Sequence, residues 1–295
     1  MNFYTLIEDT VVKLHKFAST KLPIDVSESL KVMLEKEISP ASKAALETIV
    51  DNFGIAEGTS TPMCQDTGIH IYYVNIGENL PRILGIDNIL REASARATKE
   101  VPLRPNAVNP IVGGNSNDNT GRHIPYINYD FIPGADYLEI TVFPKGGGSE
   151  NMCALGMLKP GQGINGIKKF VIETIMNAGG QPCPPVIVGV GIGGGADIAL
   201  KLGKKQLLRP LGERHPEPEV AQLEEDLLKA INMTGFGSMG LGGEFSTALD
   251  VKIDYAHRHP ASLPIGVAIQ CWAARRATAR IYQDGRVEYL THKEE

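Results

Sequence analysis

The chain has only four cysteines among its 295 residues, and no two of them stand in a C-x-x-C spacing. So few cysteines exclude a disulfide-built scaffold, a zinc ribbon and a thioredoxin-type motif, and they indicate a reducing, cytoplasmic compartment. No run approaches the roughly 18 apolar residues of a membrane-spanning helix, so we expect no membrane association. A net charge of -5 without a dense Lys/Arg block argues against a nucleic-acid partner.

Apolar periodicity predicts helices first and strands last. Helical spacing in residues 1–60 predicts a helical N-terminal part, in which we expect one helix to end at Gly54. Further helices are predicted at about 86–100, 163–178 and 218–231, and strands at 69–76, about 137–143 and within the last fifty residues. This order favours an α+β fold, with the helical region followed by a mixed β-sheet flanked by helices. We find no internal repeat or linker and predict a single catalytic domain over 1–295.

A glycine-rich segment, GVGIGG, begins at Gly189 and matches the G-x-G-x-x-G pattern of dinucleotide sites. An acidic residue is expected about 20 positions later in such sites. The chain has Leu208-Arg209-Pro210 there instead. An NAD-dependent oxidoreductase is therefore a weak alternative. The segment is equally compatible with a turn that lets the backbone approach a different ligand, or with glycines that only permit tight packing.

Three of the cysteines have unusual neighbours. Cys64 lies in the stretch PMCQDTG, Cys183 precedes two prolines, and Cys271 ends an apolar run just before Trp272. A single cysteine is more often a small buried hydrophobe than a ligand. Cysteines dispersed over turns and strand ends can nevertheless converge on an iron–sulfur cluster.

Glycine-rich and basic loops suit an anionic ligand. Lys145 opens the stretch KGGGSEN, whose glycines leave backbone N–H groups unshielded. The polar loop 105–123 is long enough to favour a functional loop over a simple connection. Basic residues in or beside loops are Arg104, Arg122, His123, Arg258 and His259. Together they would suit a small, doubly negative substrate, because arginine binds carboxylates in a bidentate way.

Four motifs in this order resemble those of the iron–sulfur hydro-lyases of the fumarate/tartrate type. They are PMCQDTG, KGGGSEN, CPPVIVGVGIGGG and RHPASLPIGVAIQCWAARRATARI. The chain is most similar to the α subunits of two-subunit class I fumarases and L(+)-tartrate dehydratases, over nearly its whole length. The resemblance implies a [4Fe–4S] cluster that is held by Cys64, Cys183 and Cys271 and leaves one iron open. Cys153 matches no ligand position and is expected to be structural.

The resemblance also implies roles for other residues. Asp66 would hydrogen-bond the hydroxyl or water at the open iron, with Gln65 beside it. Arg104 would hold a substrate carboxylate, and His259 would lie near the substrate. Backbone N–H groups around Gly147 and Gly148 would bind a carboxylate, with Lys145 next to them.

The implied reaction is reversible dehydration of (S)-malate to fumarate, because fumarases more typically carry K-G-G-G-S-x-N. The alternative is an L(+)-tartrate dehydratase α subunit, which would form oxaloacetate. In the family that the chain resembles, single-chain members carry a further C-terminal domain with the threonine base, and we expect this domain to be absent from the present chain. We therefore expect a separate β subunit, a small dicarboxylate substrate and an α2β2 hetero-oligomer. A different class remains open, namely a non-catalytic, regulatory iron–sulfur chain.

Overall fold

The computed structural model describes residues 2–293, and the chain divides into two compact units. The first unit takes the described residues up to 24, then 52–147, and those from 273 onward; the second takes 25–51 and 148–272. Among residues 2–293, no helix combines the length and apolarity needed to cross a membrane.

Eight α-helices and nine β-strands occupy the described residues. The helices are α1 (Phe3–Thr20), α2 (Ile24–Lys36), α3 (Pro40–Thr59), α4 (Ile86–Glu100), α5 (Gly147–Glu150), α6 (Gly163–Ala178), α7 (Ala196–Gln206) and α8 (Pro218–Asn232). The strands are β1 (Ile69–Gly77), β2 (Tyr126–Ile132), β3 (Tyr137–Lys145), β4 (Ala154–Leu158), β5 (Val186–Gly194), β6 (Ala248–Arg258), β7 (Leu263–Gln270), β8 (Ala277–Tyr282) and β9 (Val287–Tyr289). The predicted α+β class with a helical N-terminal region is confirmed.

The first unit is built on a five-stranded mixed sheet in the order β2-β1-β3-β8-β9. Helix α1 begins at an Asn2 cap, whose side chain accepts from the Tyr4 N–H, and it buries Ile7, Val11 and Leu14 at helical spacing. These residues pack with apolar side chains of α4, β1, β3 and β8. The register of β1 with β3 pairs Ile69 with Lys145, which brings the segment before β1 to the end of β3.

The second unit is built on a four-stranded mixed sheet in the order β4-β7-β5-β6. Within β5, residues 188–191 alternate between valine and glycine. Val188 and Val190 belong to the apolar core that includes α6 and α8. A Cβ at Gly189 would collide with the Gly203 carbonyl of α7, and one at Gly191 with the Ala199 carbonyl. The G-x-G positions are therefore strand residues against which α7 packs closely, and this favours tight packing over a dinucleotide-binding turn.

Some predicted features differ from the structure. The expected helix end at Gly54 is wrong, because α3 continues to Thr59. Phe53 and Ala56 are buried on either side of Gly54, and this packing outweighs the roughly 1 kcal/mol that glycine costs inside a helix. The sheet is divided into two, and strands β2 and β4 were not predicted. The single catalytic domain over 1–295 stays a prediction.

Candidate active site

The Q-D-T-G turn of the first unit is held by the Asp66 carboxylate. Its Oδ1 accepts the Gly68 N–H at 3.0 Å, and its Oδ2 accepts the Gly147 N–H at 2.8 Å. Gly68 has a φ of +83°, and a Cβ there would stand 2.6 Å from the carbonyl carbon of Pro144. Only glycine fits this close approach without strain. The turn is therefore pinned to the end of β3 and to the start of α5.

Arg104 is fixed through its backbone and leaves its side chain exposed. Its N–H donates to Thr67 Oγ1 at 3.0 Å, and its carbonyl accepts from Asn119 Nδ2 at 3.0 Å. Asn106 Nδ2 donates to the Gly68 carbonyl at 3.0 Å, which ties the same loop to the Q-D-T-G turn. The asparagines of loop 105–123 thus order it, and Arg104 presents its guanidinium to solvent beside the turn.

The K-G-G-G segment contains buried and exposed parts. Lys145 and Gly146 are buried, and Lys145 Nζ lies 3.4 Å from the Gly146 carbonyl oxygen. Gly147 is exposed, but its N–H already donates to Asp66. A substrate carboxylate bound by this N–H would have to share or replace that hydrogen bond. The first unit therefore brings together six of the predicted residues: Cys64, Gln65, Asp66, Arg104, Lys145 and Gly147.

The structure adds Arg275, which the sequence did not single out for a role. Its side chain is 1% exposed, and a Cβ on Gly146 would collide with its Nη2. Arg275 Nε and Nη1 find no hydrogen-bond partner among residues 2–293. The sequence signal was an Arg-Arg pair set between two apolar segments that form β7 and β8, an unusual place for two charges.

The second unit brings Cys183, Cys271 and Gly148 to one end of its sheet. The Trp272 N–H donates to the Cys183 carbonyl at 3.3 Å, and Ile187 of β5 pairs with Gln270 of β7. A Cβ on Gly148 would lie 3.7 Å from the Gln181 carbonyl oxygen. Cys183 and Cys271 are both half-buried, and neither forms a disulfide.

Cys153 contacts the protein in a different way. Its sulfur lies 3.6 Å from the Ser149 carbonyl oxygen and 3.8 Å from Glu150 Oε2, and it accepts the Ile269 N–H at 3.4 Å. The Cys153 sulfur is therefore in contact with three neighbouring groups of the second unit.

His259 lies at the other end of β7 from Cys271. Because a strand rises about 3.3 Å per residue, the eight residues of β7 separate the two by roughly 25 Å. His259 Nδ1 accepts the Ala261 N–H at 3.1 Å, so the neutral ring carries its proton on Nε2. Arg258 Nη1 donates to the carbonyls of His259, Pro260 and Ser262, and so holds this loop together. The second unit does not bring His259 to its two predicted cysteine ligands.

No group of three or more His, Cys, Asp or Glu side chains is placed to hold a single metal ion within the part of the chain that the structure describes. The thiolates of an iron–sulfur cluster bind different irons and do not share one metal. Cysteines that bind such a cluster therefore need not gather around one ion.

The comparison with known proteins decides the family. The sequence model of the family described as Fumarate hydratase (Fumerase) matches residues 8–280. The chain belongs to this family. The Fumerase relatives include a protein of Methanocaldococcus jannaschii named "Putative L(+)-tartrate dehydratase subunit alpha", which is 53% identical over 284 residues, covering 95% of this chain and 99% of the relative. The L(+)-tartrate dehydratase subunit alpha of Escherichia coli is 37% identical over 286 residues, covering 97% and 94%.

Family membership agrees with the predicted resemblance and supports a hydro-lyase. The family description names fumarate, whereas the names of these relatives contain tartrate. Tartrate, the substrate in the relatives' names, is the alternative that the sequence analysis gave beside malate.

Proposed function

We propose that this chain is the α-type subunit of a hydro-lyase that dehydrates L(+)-tartrate to oxaloacetate. The observation that carries the proposal is the pinned Q-D-T-G turn, where Asp66, Arg104 and the K-G-G-G segment meet in one unit. Relatives named for tartrate dehydratase at 53% and 37% identity support the substrate. Dehydration of (S)-malate to fumarate is the second candidate, because the family description names fumarate hydratase.

The residues of the first unit suit a 2-hydroxy dicarboxylate. The exposed Arg104 guanidinium offers paired N–H donors to one carboxylate. Each Asp66 oxygen accepts one backbone N–H and keeps capacity for a second hydrogen bond, so Asp66 can accept the proton of the substrate hydroxyl. Lys145 adds a buried positive charge beside the same segment. Gln65 is exposed next to Asp66 and can donate its amide N–H to the substrate.

The cysteines fit a [4Fe–4S] cluster. Cys64, Cys183 and Cys271 are half-buried thiols outside any disulfide, and so is Cys153, whose thiol lies against Ser149, Glu150 and Ile269. We propose that the first three hold the cluster and that Cys153 is structural. When bound, the cluster supplies an iron without a protein ligand, which acts as a Lewis acid toward the substrate.

A partner subunit is part of the proposal. The relatives are named as α subunits, and we propose that a β subunit supplies the proton-abstracting base and that the pair assembles as α2β2 in a reducing, cytoplasmic compartment. His259 and Cys271 lie at opposite ends of β7. A role for His259 near the substrate would therefore require groups from outside the second unit.

The test is to co-express the chain with its β subunit, reconstitute it under anaerobic conditions and assay both substrates. A higher kcat/KM for L(+)-tartrate than for malate is expected. A higher value for malate would select the fumarase candidate, and an iron-containing complex inactive on both would indicate the regulatory class.

Cys64→Ser, Cys183→Ser and Cys271→Ser should each remove iron and the absorbance near about 400 nm. Cys153→Ser is the matched control and should retain both.

A further inference from the structure

Arg275 is a fully buried cation at the end of the first unit's sheet. Its side chain is 1% exposed, and Nε and Nη1 have no hydrogen-bond partner among residues 2–293. An ionised group buried without partners costs several kcal/mol. A charge kept under these conditions needs a compensating group or a function.

Strand register places Arg275 next to the Q-D-T-G turn. Strand β3 pairs Val142 with Ala277 of β8, so that continuing the register by two residues sets Arg275 opposite Pro144. On the other side, β1 pairs Ile69 with Lys145. The end of β3 therefore lies between the turn that carries Asp66 and the segment that carries Arg275.

Gly146 leaves the space in which the two charges face each other. A Cβ on this residue would collide with Arg275 Nη2, and it would stand 3.1 Å from Asp66 Oδ2. The two groups form no direct ion pair among the described contacts, and no side chain on Gly146 separates them. Because Arg275 is buried and Asp66 is half-buried, water screens their attraction less than it screens a pair of exposed charges. Lys145 Nζ lies 3.4 Å from the carbonyl oxygen of the same glycine.

We infer that Arg275 is a positioning residue: from beneath Gly146 it holds the Asp66 carboxylate against the K-G-G-G segment, ready for the substrate hydroxyl. Asp66 needs such a restraint because it must keep both oxygens on the Gly68 and Gly147 N–H groups while accepting a further hydrogen bond. The inference rests on the proposed function, in which Asp66 contacts substrate. Arg275 itself is buried and acts through Asp66.

The kinetic test compares Arg275→Gln, Arg275→Lys and Arg280→Gln in the reconstituted complex with the β subunit. Arg275→Gln should lower kcat about tenfold or more with KM changed less than about threefold, because substrate still binds Arg104. Arg275→Lys keeps the charge and should recover part of kcat. Arg280, half-exposed and paired with Glu139 at 2.8 Å, is the matched control and should stay within about twofold.

A double-mutant cycle with Asp66→Asn separates positioning from other roles. In the Asp66→Asn background, Arg275→Gln should change kcat less than about twofold, since its effect passes through Asp66. A further tenfold loss in that background would overturn the inference. An unchanged kcat in the single Arg275→Gln variant, or a raised KM alone, would also overturn it, the latter by indicating direct substrate binding.

Thermal unfolding midpoints give a readout that needs no activity. They are measured for the wild type, Asp66→Asn, Arg275→Gln and the double variant. Coupled residues should make the midpoint of the double variant differ by about 2 °C or more from the sum of the single shifts. Additive midpoints would overturn the inference, whereas a wild-type complex inactive on both substrates would overturn only the proposed function.

Should Arg275→Gln fail to fold, Gly146→Ala tests the inference in its place. The added methyl group displaces the Arg275 guanidinium and should lower kcat at least as much as Arg275→Lys does. A fully active Gly146→Ala complex would contradict the inference.

Discussion

The two units bury charged side chains in opposite ways. In the second unit Asp250 and Lys252 are almost fully buried, and Asp250 binds Lys252 Nζ at 3.0 Å and Arg214 Nη1 at 2.7 Å. Burial lowers the pKa of Lys252, and Asp250 opposes that shift. Glu224, with no exposed side-chain surface, likewise binds Arg209 at 2.8 Å. In the first unit Arg275 has two unsatisfied donors, and it lies beside the proposed site.

Buried histidines extend the contrast. His15 and His70 of the first unit lie with ring centroids 4.1 Å apart and ring planes tilted by 39°, each with one ring nitrogen that finds no partner within the described residues. Burial lowers the pKa of His70 to about 3 and that of His15 well below its usual value. The second unit thus pairs its buried Asp250, Lys252 and Glu224 with opposite charges, as a structural network requires. The first keeps His15 and His70 neutral and leaves two donors of Arg275 unsatisfied, the pattern expected where function competes with stability.

Breaking the paired network of the second unit should have the largest effect. Asp250→Asn would leave Lys252 and Arg214 without their shared carboxylate. The free energy of unfolding should fall by about 3–5 kcal/mol, because an uncompensated buried charge remains. Chemical denaturation at pH 7 measures this. A loss below about 1 kcal/mol would show that solvent already screens the network.

Acid should destabilise the first unit through its histidine pair. The unfolded chain protonates a histidine near pH 6.5, whereas folded His70 stays neutral until about pH 3. Stability is therefore unaffected above pH 6.5 and falls as the pH drops below it, by about 1.4 kcal/mol per pH unit for each histidine. Urea unfolding at pH 7, 6 and 5 should show this slope. His70→Asn should reduce it, and an identical slope in that variant would contradict the prediction.

Removing the unpaired charge of the first unit should change stability little. Arg275→Met deletes a buried guanidinium with two unsatisfied donors. We expect the free energy of unfolding to change by less than about 1 kcal/mol, because the lost packing is offset by the relieved desolvation of the charge. Denaturation beside Asp250→Asn makes the comparison direct. If Arg275→Met and Asp250→Asn lowered the free energy of unfolding equally, the two units would not differ in how they stabilise buried charges.

Breaking an exposed ion pair should cause the smallest loss in the free energy of unfolding. Lys169 and Glu173, one turn apart on α6, are 3.7 Å apart with side chains 72% and 59% exposed. Lys169→Ala should cost no more than about 0.5 kcal/mol, since water and salt screen such pairs. The shift should vanish in high salt. A loss of several kcal/mol would mean that exposure does not separate structural from surface charges here.

Regular amphipathic elements could be predicted from the sequence. The strand predicted at 69–76 and the helix at 163–178 coincide closely with β1 and α6, because their apolar residues follow the period of each structure. Strand β2 escaped prediction because Tyr126, Tyr129 and Phe131 are exposed, so no buried face imposes an alternation. Strand β4 has only five residues, too few for a clear pattern.

The sequence by itself determined the chemistry available to this protein: the cysteines, the Q-D-T-G and K-G-G-G motifs, and the family that they indicate. Only the tertiary structure decided how those groups are used. The alternation of valine and glycine in β5 resembles a nucleotide motif until α7 is seen packed on Gly189 and Gly191. Likewise, Asp66 meets the Gly147 N–H from 81 residues away. Sheet register sets that meeting, and the one with Arg275, because pairing depends on the whole buried face of each strand and not on local residues.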